Sequence, residues 1–146
     1  MIDTVVVATD GSESVQRAIE VALDLAARFD ADVHALSVVD TGEVETTPDD
    51  LRAEMADALS ERAEDALTDV VERTDRPVTT AVREGRPSDE VLAYVRETDA
   101  DVVATGTRGR HGENRLLIGS VAERVVRSSP VPVLTVRRLG TDESGS

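Results

Sequence analysis

The 146-residue sequence contains no cysteine, no tryptophan and no lysine; all 16 of its basic residues are arginine. Without thiols there can be no disulfide, thiolate nucleophile, or zinc or iron–sulfur site built on cysteine. Without an ammonium side chain there is neither a Walker P-loop, which needs its lysine on the phosphates, nor a Schiff-base enzyme. Aromatics are almost missing as well: Phe29 and Tyr94 are the only two. No apolar run is long enough to span a bilayer, and Met1-Ile2-Asp3-Thr4 carries neither a basic segment nor a cleavage-site pattern. The expectation is a cytoplasmic protein, one domain by length and large enough to bury a core.

What is abundant is negative charge. Thirty acidic residues, spread along the whole chain, set the formal net charge at -14. Such a surface repels nucleic-acid phosphates, and two aromatics leave little for bases to stack on, so neither a nucleic-acid nor a membrane partner is expected. Many carboxylates without lysine is also the composition expected of a halophilic protein, kept hydrated under heavy screening.

Along the chain, strand-like and helix-like segments alternate. Ile2 to Ala8 is a β-branched run of the kind buried on both faces of a sheet. Ser12 to Arg28 reads as a helix with Val15, Ala18, Ile19, Ala22, Leu23 and Ala26 on one face. Asp32 to Val39 is a second buried strand, and Thr41 to Asp50 a polar loop. A long helix from about Pro48 to Arg73 carries Leu51, Met55, Leu59, Ala63, Ala66 and Val70. Val78 to Val82 is a shorter, more alternating strand, followed by a short helix with Val91, Leu92 and Val95. Asp101 to Thr105 is the fourth strand. A loop with four glycines, a helix from Ser120 to Ser128 and a strand from Val131 to Val136 complete the pattern. Residues 139–146 read as a disordered polar tail after a single domain over 1–138.

Five strands separated by four helices predict an α/β fold: an open, mostly parallel, Rossmann-like sheet with helices on both faces. In such sheets ligands bind at the carboxyl ends of the strands, where the strand order reverses. Those ends carry Thr9-Asp10-Gly11-Ser12, Val39-Asp40 and Thr105-Gly106-Thr107-Arg108-Gly109.

Gly106-Thr107-Arg108-Gly109 is followed, nine residues on, by Gly119-Ser120. Glycines just past a buried strand let main-chain N–H groups approach a sugar or phosphate. Ser120-x-x-Glu123 fits a capping box, and the first turn of the helix it opens favours an anion. The spacing fits a shaped loop with an ordinary N-cap equally well. Asp10 is an acceptor suited to ribose hydroxyls or Mg²⁺, and also a common turn-capping residue ahead of Gly11-Ser12. Arg108 and Arg110 could reach phosphates or balance the acidic surface. His111 reads as an exposed loop residue and His34 as a satisfied, partly buried one. With no other histidine and no Gly-x-Ser-x-Gly elbow, catalytic machinery is not evident.

The pattern Gly106-x2-Gly109-x9-Gly119-Ser120 resembles the ATP-binding signature of the universal stress protein family. Val102-Val103-Ala104-Thr105 ahead of it, Ser120 to Val126 and Pro130 to Leu134 behind it, the opening Val5 to Ser12, and Val38-Val39-Asp40 are similar to that family too. The resemblance runs to about Arg138. It implies a nucleotide-binding, adenine nucleotide alpha hydrolase-like domain acting as a stress-response regulator, at most a weak ATPase. ATP, or else ADP, AMP or another adenosine ligand, would be the cofactor, with Mg²⁺ at Asp10. By the same resemblance, the Val38 backbone would meet the adenine edge beside Ala8 and Thr9. Gly106 and Gly109 would line the ribose and α-phosphate, with Thr107 and Arg108 between them also in the binding loop, while Gly119, Ser120 and Val121 would hold the outer phosphates. A homodimer paired through 131–136 is implied as well. The alternatives are a ligand-independent dimeric scaffold, or a phosphotransferase or hydrolase on the same fold.

Overall fold

A computed structural model describes residues 2–107 and 120–136. Within them, β1 (Thr4–Ala8), α1 (Gln16–Phe29), β2 (Asp32–Asp40), α2 (Thr41–Glu45), α3 (Arg52–Glu72), β3 (Val78–Gly85), α4 (Pro87–Glu97), β4 (Val102–Thr105), α5 (Ser120–Ser128) and β5 (Val133–Thr135) follow one another. Short 3-10 turns, Glu13–Val15 and Asp49–Leu51, lead into α1 and α3. The five strands form one sheet in the order β3-β2-β1-β4-β5, every pair parallel.

The β-branched run dictates the layering. Alternate residues of a strand point to opposite faces, so a strand apolar at every position must be covered twice. Val5, Val7, Val33 and Ala35 face α1 and α3, packing on Ala18, Ile19, Ala22, Leu67 and Val70. Val6, Leu36 and Val103 face α4 and α5, packing on Val91, Leu92, Val95 and Val125. The helical face expected on α1 is buried in full, from Val15 through Ala26.

Four local expectations change. The segment from 41 to 50 is not all loop: Asp40 Oδ1 accepts from Gly42 N at 2.9 Å, capping the short α2. Leu51 lies in the 3-10 turn before α3 and stays 46% exposed, whereas Leu67, absent from the expected stripe, is buried. The third strand runs on to Gly85, because the nine-residue β2 templates it in register from Val33↔Val78 to Asp40↔Gly85. The last strand shrinks to Val133–Thr135, since the Ser129 side chain bonds both the N–H and the C=O of Val131 and holds that residue in a turn.

Candidate functional site

The strand order places β2 on one side of β1 and β4 on the other, so the chain leaves these two central strands in opposite directions. That divergence opens a crevice over their carboxyl ends. The β1 end is held by its own side chains. Thr9 is buried; its N–H donates to Leu36 O at 2.9 Å and its Oγ1 accepts from Gly11 N at 3.1 Å. Asp10 Oδ1 accepts from Ser12 N at 2.9 Å, the turn-capping role read from the sequence. Gly11 sits at φ +79°, where a side chain is strained.

A shallow recess, open to solvent, lies beside this turn. Asp10, Ser37, Val38, Val39 and Asp40 line it from the strand ends, and Leu59, Arg62 and Ala63 line it from α3. Asp10 and Val38 are thus brought to one place, with buried Ala8 and Thr9 just behind them. Val39 and Asp40 belong to the strand ends at which a ligand was expected, whereas Ser37, Leu59, Arg62 and Ala63 were not expected in a site. The three from α3 carry no local signature; only the packing of α3 over β2 brings them there.

The backbone of Val38 has a particular disposition. In a parallel strand, residues two apart turn both their N–H and C=O toward the same neighbour. Leu36 faces β1: it pairs with Ala8, and its C=O takes the Thr9 N–H. Val38 faces the same way, but β1 has already left the sheet. Among the described residues no backbone group beyond Thr9 bonds to Val38. An adjacent donor and acceptor therefore point into the crevice from a continuing strand edge.

Gly106 and Thr107 follow β4 directly, and Thr107 is buried. A Cβ at Gly106 would lie 2.9 Å from Ser14 Oγ, 3.1 Å from Val15 Cβ and 3.2 Å from Val15 Cα. The glycine is thus required by the turn that leads into α1, whatever else approaches it. Arg108, Gly109 and Gly119, like Arg110 and His111, lie outside the described residues. Ser120 is exposed as the first residue of α5, and Val121 packs half-buried against the α4–α5 side of the core. Glu123, expected in a capping box, instead pairs with Arg127 one turn along.

His34 is accounted for without a ligand. Its Nδ1 lies 3.0 Å from Tyr94 Oη, and the two rings meet edge-on at 5.8 Å. Arg83 stands 4.9 Å above the Tyr94 ring and pairs with Glu97 at 2.5 Å. Burial pushes the Tyr94 phenol up, and the Arg83 guanidinium holds the Glu97 carboxyl below its usual range. At the opposite end of the sheet, Asp101 Oδ2 accepts from Asp3 N at 2.7 Å and Thr4 N at 3.0 Å, which lowers its carboxyl too. Among the described residues no three His, Asp or Glu side chains gather as a metal centre, and no helix is long and apolar enough to cross a membrane.

The fold and the crevice define a doubly wound parallel α/β protein with an open recess at its strand-order reversal. Comparison narrows the class. The sequence model of the Universal stress protein family matches residues 1–137. A universal stress protein of Methanocaldococcus jannaschii is 34% identical over 138 residues, covering 92% of this chain and 81% of the relative. Universal stress protein UspA from Lactobacillus plantarum superposes with a TM-score of 0.79 at 27% identity, over 93% of this chain and 98% of that one. A universal stress protein crystallised in complex with cAMP gives a TM-score of 0.62 at 27% identity, over 93% and 97% of the two chains. The chain belongs to the universal stress protein family.

Proposed function

We propose that this protein binds an adenine nucleotide, ATP with Mg²⁺ in the first place, and acts as a nucleotide-sensing stress-response module in the cytoplasm. The observation that carries this reading is the open N–H and C=O of Val38 at the edge of the crevice. Adenine presents an acceptor, N1, beside a donor, the 6-amino group, and these match a strand edge as another strand would. Guanine presents the reverse, a donor at N1 beside an acceptor at O6, and would set like against like. A similar protein whose structure contains cAMP supports the choice of an adenine ligand.

The remaining roles follow from charge. Asp10 and Asp40 make the recess unfavourable for bare phosphate, so base and ribose belong there and the phosphates lie beyond it, toward the β4 loop and the first turn of α5. Asp10 has one oxygen committed to Ser12, leaving the other for a ribose hydroxyl or Mg²⁺. Ala8, Thr9, Gly106 and Thr107 form the floor, with Arg108, Gly109, Gly119, Ser120 and Val121 on the phosphate side. β5, last in the strand order, is the edge through which two copies would pair as a homodimer. The acidic surface suits work in concentrated salt.

Calorimetric titration with ATP and GTP at matched Mg²⁺ tests the function. ATP is expected to bind, and GTP to bind at least roughly tenfold more weakly, about 1.4 kcal/mol. No heat with ATP, or equal affinity for GTP, rejects the reading.

A further inference from the structure

The recess contains one side chain whose presence the adenine reading does not explain. Arg62 lines it from α3, exposed, and among the described residues it makes no hydrogen bond or ion pair. Seven of the eleven described arginines, Arg28, Arg52, Arg73, Arg76, Arg83, Arg124 and Arg127, are ion-paired; Arg62 shares the lack of a partner with Arg17, Arg86 and Arg96, but of these four it alone lines the recess. Two carboxylates, Asp10 and Asp40, line the same recess, yet neither holds it; their Oδ1 atoms accept from Ser12 N and Gly42 N instead.

The geometry of the base assigns the arginine a role. Hydrogen bonds to the Val38 N–H and C=O lie in the sheet, so a purine making them continues the sheet plane. One of its faces then looks toward the helix layer that covers this side of β2. Val39, whose side chain points to that layer, packs there with Leu59 and Ala63 of α3. A purine needs a partner for that face, and neither Phe29 nor Tyr94 lines the recess. Leu59 and Ala63 offer aliphatic contact. Arg62 offers the one planar, delocalised group, weakly hydrated and able to stack on an aromatic face.

We propose that Arg62 is a specificity-determining residue whose guanidinium stacks on the exposed face of the purine, replacing the aromatic ring this site lacks. The inference rests on the adenine-nucleotide reading. Arg62 acts on the base and not on the phosphates, so its contribution is the same for adenosine as for ATP. It depends on the plane of the side chain more than on its charge, so lysine does not substitute for it. Without an ion pair to lose, Arg62 can be replaced without loss of the fold.

The experiment measures the affinity of the full chain for adenosine, AMP and ATP in the wild type and in Arg62→Met and Arg62→Lys, both of which preserve helix propensity. Melting temperatures of the three proteins are expected to coincide. Both variants are expected to lose roughly 3- to 30-fold in affinity, by one common factor for all three ligands. The factor persists in molar salt, because contact with the base is screened far less than a distant phosphate. A loss seen only with ATP and growing with phosphate number overturns the proposal in favour of a phosphate contact. Wild-type affinity in the lysine variant, or in both variants, overturns it as well. If the wild type binds none of the three ligands, the adenine reading itself has failed, and that is known before any variant is compared.

Discussion

Replacing Gly106 by alanine separates two reasons for a glycine at this position. A ligand-binding glycine should cost affinity when changed, whereas a packing glycine should cost stability. The new Cβ would stand 2.9 Å from Ser14 Oγ and 3.1 and 3.2 Å from Val15 Cβ and Cα. The serine hydroxyl can swing aside, but the Val15 atoms are fixed to the backbone, so the turn over residues 13–15 has to retreat by a few tenths of an ångström. Such overpacking costs about 1–3 kcal/mol. The alanine recovers about 0.4–1 kcal/mol by restricting the unfolded chain, since Gly106 does not occupy the left-handed region. The net loss is about 1–2 kcal/mol. For a chain of this length, 1 kcal/mol shifts the melting midpoint by about 3 °C, so Gly106→Ala should melt about 3–6 °C lower. Gly42→Ala is the control. Its Cβ would meet only the Asp40 carboxyl, Oδ1 at 3.1 Å and Cγ at 4.0 Å; the gain in helix propensity offsets a slight shift of that cap, so it should melt near the wild type. Calorimetry without nucleotide decides the matter. If Gly106→Ala melts with the wild type, the packing account of this glycine is wrong; if it also loses ATP affinity, the ligand alone explains it.

Two further outcomes follow from contacts away from the crevice. Tyr94→Phe removes the hydroxyl bonded to His34 Nδ1 while keeping the ring under Arg83, and should cost about 1 kcal/mol, or about 3 °C by thermal melting. A variant as stable as the wild type would show that His34 finds another partner. The second concerns acid. Asp101 is held below its usual range by the Asp3 and Thr4 N–H groups, and Glu97 by Arg83. A carboxyl depressed in the folded state stabilises it above the unfolded value, about 4, and that contribution disappears as pH falls through the folded value. Stability in urea should therefore decline below about pH 4, and Asp101→Asn should flatten that decline while lowering stability at neutral pH. An acid limb of unchanged slope in the variant would exclude Asp101 as its source.

Local pattern was enough for the elements whose signal is dense. The β-branched run ending at Ala8 and the 3.6-residue stripe from Val15 to Ala26 each specify one solution to burying their apolar atoms, and the structure adopts both. Alternating elements then required a parallel, doubly covered sheet. Where local pattern failed, a neighbour or a single side chain decided. β3 extends because β2 beside it is long, and α2 forms because Asp40 caps it.

The site divides along the same line. Asp10 and Gly106 stand at strand ends, and chemistry at strand ends is visible in a linear sequence because the strand announces itself. The family resemblance supplied Val38, but the reason for Val38 lies in register: its peptide groups are open because β1 leaves the sheet one step too early to pair with them. Arg62 could not be picked out at all. On α3 it is one arginine among charged neighbours, and only the placement of that helix over the end of β2 sets it apart. Residue type and periodicity determined which atoms must be buried, because burial is a property each segment carries with it. Which unburied groups face one another was decided by the packing of segments distant in sequence, because direction in space exists only after the layers have closed.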